Sequence, residues 1–136
     1  MDSTRLVKSA AIGALLAMAG QLKAADSGTA SNGKPVTFAR DIASILQQRC
    51  QECHRSGSMA PMSLVTYEET RPWAKAIRQR VIARQMPPWH IDKTVGVRKF
   101  KNDMSLTGEQ IDTIVRWVDS GAPRGDMKDL PPAKQH

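Results

Sequence analysis

The two cysteines of this 136-residue chain belong to one short string, Cys50-Gln51-Glu52-Cys53, and His54 follows the second at once. No other cysteine exists, so no disulfide can tie distant parts of the chain together. A bond between Cys50 and Cys53 would close only a tight, easily reduced ring. The fold must therefore rest on packing, and the pair is left for chemistry. A thioredoxin-like dithiol needs an α/β pattern around it, and no strand pattern precedes this one. A zinc site needs four ligands. His90 and His136 are the only other histidines and there is no second cysteine pair.

The periodicity is helical throughout. Thr37 is placed to cap a helix over 38–49, with Phe38, Ile42, Ile45 and Leu46 on one face. That helix delivers Cys50 at its end. Residues 55–64 hold Gly, Pro and Ser and read as a loop. Thr66 and Glu69 have capping-box spacing. Pro72 suits a first turn, so a helix restarts near Arg71 and runs to about Gln85. Its expected buried stripe is Trp73, Ile77, Val81 and Ile82, with Arg71, Lys75, Arg78, Arg80 and Arg84 on its other faces. Pro87-Pro88 ends it and holds the next residues extended. Residues 89–105 read as a long loop, which in a small domain is usually functional. Thr107 and Gln110 open the last helix with a second capping box. Ile111, Ile114, Val115 and Val118 form its stripe, Gly121 caps its end and Pro123 follows. The expectation is an all-α domain of three to four helices.

The N-terminal residues fall outside that domain. Arg5 and Lys8 precede Ser9 to Gly20, an uncharged small and apolar run, and Ala24 offers a cleavage point. This is the layout of a secretory signal peptide over 1–24. The run is 12 residues long, against the roughly 20 that a membrane span needs. A flexible lead-in over 25–36, a folded domain over 37–123 and a polar tail over 124–136 complete the expected organisation. Removing 1–24 takes away Arg5, Lys8, Lys23 and Asp2, which lowers the net charge from +7 to +5. An exported chain with scattered basic residues is a poor match to nucleic acid. An acidic protein partner fits better, although a solvated mixed surface explains most of these charges.

The mature domain holds three Trp, one Tyr and two Phe, a modest core that a buried prosthetic group would complete. Cys50-Gln51-Glu52-Cys53-His54 is a C-x-x-C-H sequence, the attachment signature of c-type haem. Two thiols with two residues between them reach adjacent edges of one porphyrin and add across its vinyl groups. His54 then meets the iron from the same side. A second axial ligand is expected from a methionine. Met59 and Met62 are too close to His54 to round the porphyrin without full extension. Met127 lies in the tail. Met86 fits best, because it ends a helix and Pro87-Pro88 stiffens the chain beyond it. Met104 and His90 are the alternatives. Pro61 marks a loop whose carbonyl could accept from the outer nitrogen of His54 and orient the ring. Trp89 is a candidate cover for a haem edge, and Trp73 and Trp117 are expected in the core.

These strings together resemble small class I-like cytochrome c domains. Ala60-Pro61-Met62-Ser63-Leu64, Arg71-Pro72-Trp73-Ala74, Met86-Pro87-Pro88-Trp89 and Trp117-Val118-Asp119-Ser120-Gly121-Ala122-Pro123 are similar to a subgroup in exported proteins of environmental bacteria. Some of those proteins fuse the domain to a redoxin or a copper monooxygenase. The resemblance spans roughly 36–126. It implies an all-α cytochrome c-like fold around one haem c per chain, bound at Cys50 and Cys53 with His54 and Met86 as axial ligands. With both iron positions filled by protein the expectation is an electron carrier and not an enzyme, periplasmic or otherwise exported from the layout of residues 1–24, monomeric, and without a membrane span after cleavage. The expectation is a free-standing domain without an attached catalytic one, for which the subgroup's partners are poor guides. Two other readings are a five-coordinate haem enzyme or gas sensor, and a haem-free dithiol module.

Overall fold

A computed structural model describes residues 34–89, 91–92, 94–96 and 100–136. The expected signal peptide (1–24), most of the lead-in and His90 lie outside the described residues. Among the described residues the chain is all-α, with no strand. None of its helices is long and apolar enough to cross a membrane.

The first helical segment starts where the sequence signals it. Thr37 is extended and its side chain accepts from the Arg40 amide, while the Thr37 amide donates to Asp41 at 2.7 Å. The opening turn, Phe38–Ile42, is wound as a π turn, and α1 (Ala43–Arg49) continues it. The short α2 (Tyr67–Thr70) carries the Thr66–Glu69 capping box. Those hydrogen bonds from Thr66 hold the Glu69 carboxyl below its ordinary range. A 3-10 turn, Arg71–Trp73, leads into α3 (Ala74–Ile82). The last helix, α4 (Gly108–Asp119), carries the Thr107–Gln110 box.

The core is an aromatic contact between the two ends of the domain. Phe38 meets Tyr67 edge-on, with centroids 5.4 Å apart, and lies 6.2 Å from Trp117. Trp117 and Ile114 are fully buried, and the Trp117 indole donates to the Pro123 carbonyl at 3.0 Å. The Tyr67 hydroxyl donates to the Ala122 carbonyl at 3.0 Å. α4 stops in a Schellman motif. The Ala122 amide reaches the Trp117 carbonyl and the Gly121 amide reaches that of Val118, with Gly121 at φ 93°.

Three expectations are corrected. α3 ends at Ile82 rather than near Gln85, because Arg84 adopts φ 53° and closes a second Schellman motif. In that motif the Gln85 amide bonds to the Arg80 carbonyl. A non-glycine residue in this conformation gives no sequence signal. Second, Trp73 and Ile82 are exposed, and α3 buries the small Ala74 together with Val81. Trp73 belongs to the 3-10 turn, where the α-helical period that put it in the stripe does not apply. Third, residues 124–136 are docked on the domain. Phe38 and Ala39 donate to the Pro123 and Arg124 carbonyls, each at 2.9 Å, and Leu130 packs against the core.

Candidate functional site

α1 delivers the cysteines on a closed turn. The Cys50 and Gln51 amides both bond to the Leu46 carbonyl, each at 2.9 Å. The Cys50 carbonyl then accepts from Cys53 at 3.1 Å and from His54 at 2.9 Å. The following loop folds back, with Ala60 donating to the Cys53 carbonyl and Leu64 to that of His54. Both thiols are free and half-buried. Burial, then the neighbouring Cys53, pushes the Cys50 thiol up to about 12, against the smaller pull of Arg49. At neutral pH that thiol keeps its proton.

The two residues between the cysteines behave oppositely. Gln51 is buried and its side-chain amide donates to the Leu64 carbonyl at 3.0 Å. Glu52 is exposed and its carboxyl is held low, first by Lys134 and then by Arg55 and His136. Arg55 braces the turn by donating to the Gln51 and Glu52 carbonyls. Sequence reasoning missed Gln51 and Arg55, because a polar residue inside or beside C-x-x-C-H carries no mark of burial or pairing.

His54 is half-buried, and its Nδ1 lies 3.3 Å from the Met62 carbonyl oxygen. That oxygen only accepts, so the bonded tautomer has its proton on Nδ1 and a free lone pair on Nε2. The carbonyl that meets the ring is thus Met62's, one residue beyond Pro61. Pro61 itself is exposed, and it and Met62 lie together in a bend.

Met86 lies on a different wall. It is 41% exposed and lines a cavity of about 420 Å³ with Val81, Arg84, Trp89, Ser105 and Leu106. Cys50, Cys53 and His54 do not line that cavity. The Trp89 indole nitrogen is buried there without a hydrogen-bond partner. Met104 is half-buried beside Asp103, whose carbonyl accepts from Arg49, the residue before Cys50.

The donor set suits a covalently held porphyrin: two free thiols, one of them firmly neutral, and an imidazole whose outer nitrogen is already satisfied. Ile82, Met86, Val95 and Phe100 are exposed apolar side chains. Among the described residues no three His, Cys, Asp or Glu side chains come together as a metal-binding group. The chain matches no protein-family model, no curated protein and no solved structure.

Proposed function

We propose that this chain is an exported monohaem c-type cytochrome that passes single electrons between protein partners. The observation that carries the reading is the turn on which Cys50, Cys53 and His54 sit together. Its backbone closes on the Cys50 carbonyl. Cys50 and Cys53 would hold the haem as thioethers, each S–H adding across one vinyl C=C with sulfur to one carbon and hydrogen to the other, so attachment would need no oxidant. When bound, the haem supplies a one-electron ferric/ferrous couple.

The protein's part is to hold that couple. Cys50 and Cys53 keep the group from leaving. His54 offers Nε2 because Met62 retains the proton on Nδ1. Met86 would hold the iron together with His54, and Pro87-Pro88 would limit its travel. With His54 and Met86 both holding the iron, no place would remain for a substrate, so the proposed role is that of a carrier and not an enzyme. Residues 71–91 contain five Lys or Arg and no Asp or Glu. That run favours an acidic redox protein as partner, while export, rather than the charge pattern, is what sets nucleic acid aside for this proposed monomer. The layout of residues 1–24 supports a periplasmic or otherwise exported location.

The Cys50 thiol weighs against a haem-free dithiol module, whose attacking thiol should have a lowered pKa. One observation favours a five-coordinate haem protein: Met86 borders an open cavity that would admit a small ligand. The test is expression with a haem-attachment system, followed by a haem stain after denaturing electrophoresis. The double change Cys50→Ala, Cys53→Ala should release all haem to acid-acetone. Haem retained by that double variant would refute covalent attachment at these residues, and carbon monoxide binding by the reduced wild type would select the five-coordinate reading.

A further inference from the structure

The segment after α4 runs the length of the first helical segment and ends on the cysteine turn. Gly125, at φ 80°, passes so close to Thr37 that a Cβ there would sit 2.6 Å from the threonine Oγ1. Asp126 caps a 3-10 turn, Met127–Asp129, and Leu130 packs on the core. The Gln47 side chain then donates to the Pro132 carbonyl at 3.1 Å. Lys134 donates to the Gln47 carbonyl at 3.3 Å and its Nζ lies 3.4 Å from Glu52 Oε2. His136 Nδ1 lies 3.7 Å from the same oxygen.

Gln47 is where a cation has work to do. The last carbonyls of a helix lack intrahelical donors and carry its negative end. The Gln51 amide, which would serve Gln47 in a regular helix, bonds to Leu46 instead. Lys134 takes its place from outside the helix and grips Glu52 with the same ammonium group. Glu52 stands between the two cysteines, so one side chain joins the helix end to the attachment turn.

We propose that residues 130–136 form a latch on the Cys50–His54 turn, with Lys134 as its positioning residue. The latch acts on the backbone that presents the cysteines and His54. It matters to electron transfer only if the proposed function is right, but its effect on the turn is independent of haem. The pair is solvent-exposed and therefore weak, and salt screens it.

Amide hydrogen exchange on the full chain, produced with a haem-attachment system, tests this. In Lys134→Ala the Gln51, Cys53 and His54 amides should exchange about two- to five-fold faster, the range open to an exposed ion pair. Lys134→Arg should restore protection and Lys134→Glu should exceed the alanine effect. Molar salt should speed exchange at these amides in wild type and leave Lys134→Ala unmoved. α4 amides should not change in any variant. Wild-type exchange in Lys134→Ala and Lys134→Glu would overturn the latch, and so would equal acceleration in α4, which would mean general destabilisation. A chain that carries no haem but shows the expected pattern would refute the cytochrome reading and keep the latch.

Discussion

The Gln51 side-chain amide and the Leu64 carbonyl meet at 3.0 Å inside the domain, 13 residues apart. This bond ties the start of the cysteine turn to the end of the loop that returns over it. Gln51→Leu keeps the bulk and removes the donor, leaving a buried carbonyl unpaired. Such a group costs about 1–3 kcal/mol. The variant should melt lower by roughly 4–8 °C for each kcal/mol lost in a domain of this size. A melting temperature equal to wild type would mean that water serves the Leu64 carbonyl equally well.

The protonated state of Cys50 predicts slow thiol chemistry. Its thiol is pushed up to about 12 by burial, while an unfolded cysteine titrates at about 8.5. Between those values the folded chain binds more protons than the unfolded one, so the thiol's contribution to stability falls as pH rises through that window. In the haem-free chain, iodoacetamide at pH 8 should alkylate Cys50 at least tenfold more slowly than free cysteine. Denatured protein should lose that difference. Rapid alkylation at pH 7 in the folded chain would restore the dithiol module as a contender.

Gly125 has no freedom to change. Alanine there would combine a left-handed conformation with a Cβ 2.7 Å from the Thr37 Cβ. The conformation alone costs roughly 1–2 kcal/mol. Displacing the cap of the first helical segment costs about 1 kcal/mol more. Gly125→Ala should therefore lose about 2–3 kcal/mol in chemical denaturation. Unchanged stability would mean that the segment does not pass Thr37 as closely as described.

Much of the frame is legible in the sequence because it rests on local chemistry. Thr37, Thr66 and Thr107 each satisfy an orphan amide a few residues away, and that spacing is written in the chain. What was not legible depends on partners distant in sequence or on unusual backbone. Arg84 ends α3 in a conformation usually reserved for glycine. Residues 124–136 read as a tail because they are polar, yet Lys134 finds Gln47 and Glu52 more than 80 residues back. At the site, C-x-x-C-H pointed to the candidate chemistry, and the loop marked by Pro61 does supply a carbonyl to His54, that of Met62. A loop proline marks a bend but does not fix which carbonyl turns inward.

The distal ligand is the prediction with most at stake. Met86 and Met104 now compete on different grounds. Met86 borders an open cavity and precedes Pro87-Pro88. Met104 is half-buried and adjoins Asp103, which Arg49 ties to the end of α1. A thioether stabilises ferrous over ferric iron, so losing it lowers the potential and opens a coordination position. In haem-loaded protein, Met86→Ala should abolish the Met–iron charge-transfer band, lower the midpoint potential and allow carbon monoxide to bind the reduced form. Met86→His should restore six-coordination at a potential below wild type, because imidazole favours ferric iron more. Met104→Ala and His90→Ala should leave band and potential in place. If Met104→Ala or His90→Ala removes the band while Met86→Ala keeps it, that other side chain is the ligand. Electron transfer would then survive as the proposed function, but Pro87-Pro88 would be only a helix stop and the axial assignment of Met86 would be lost.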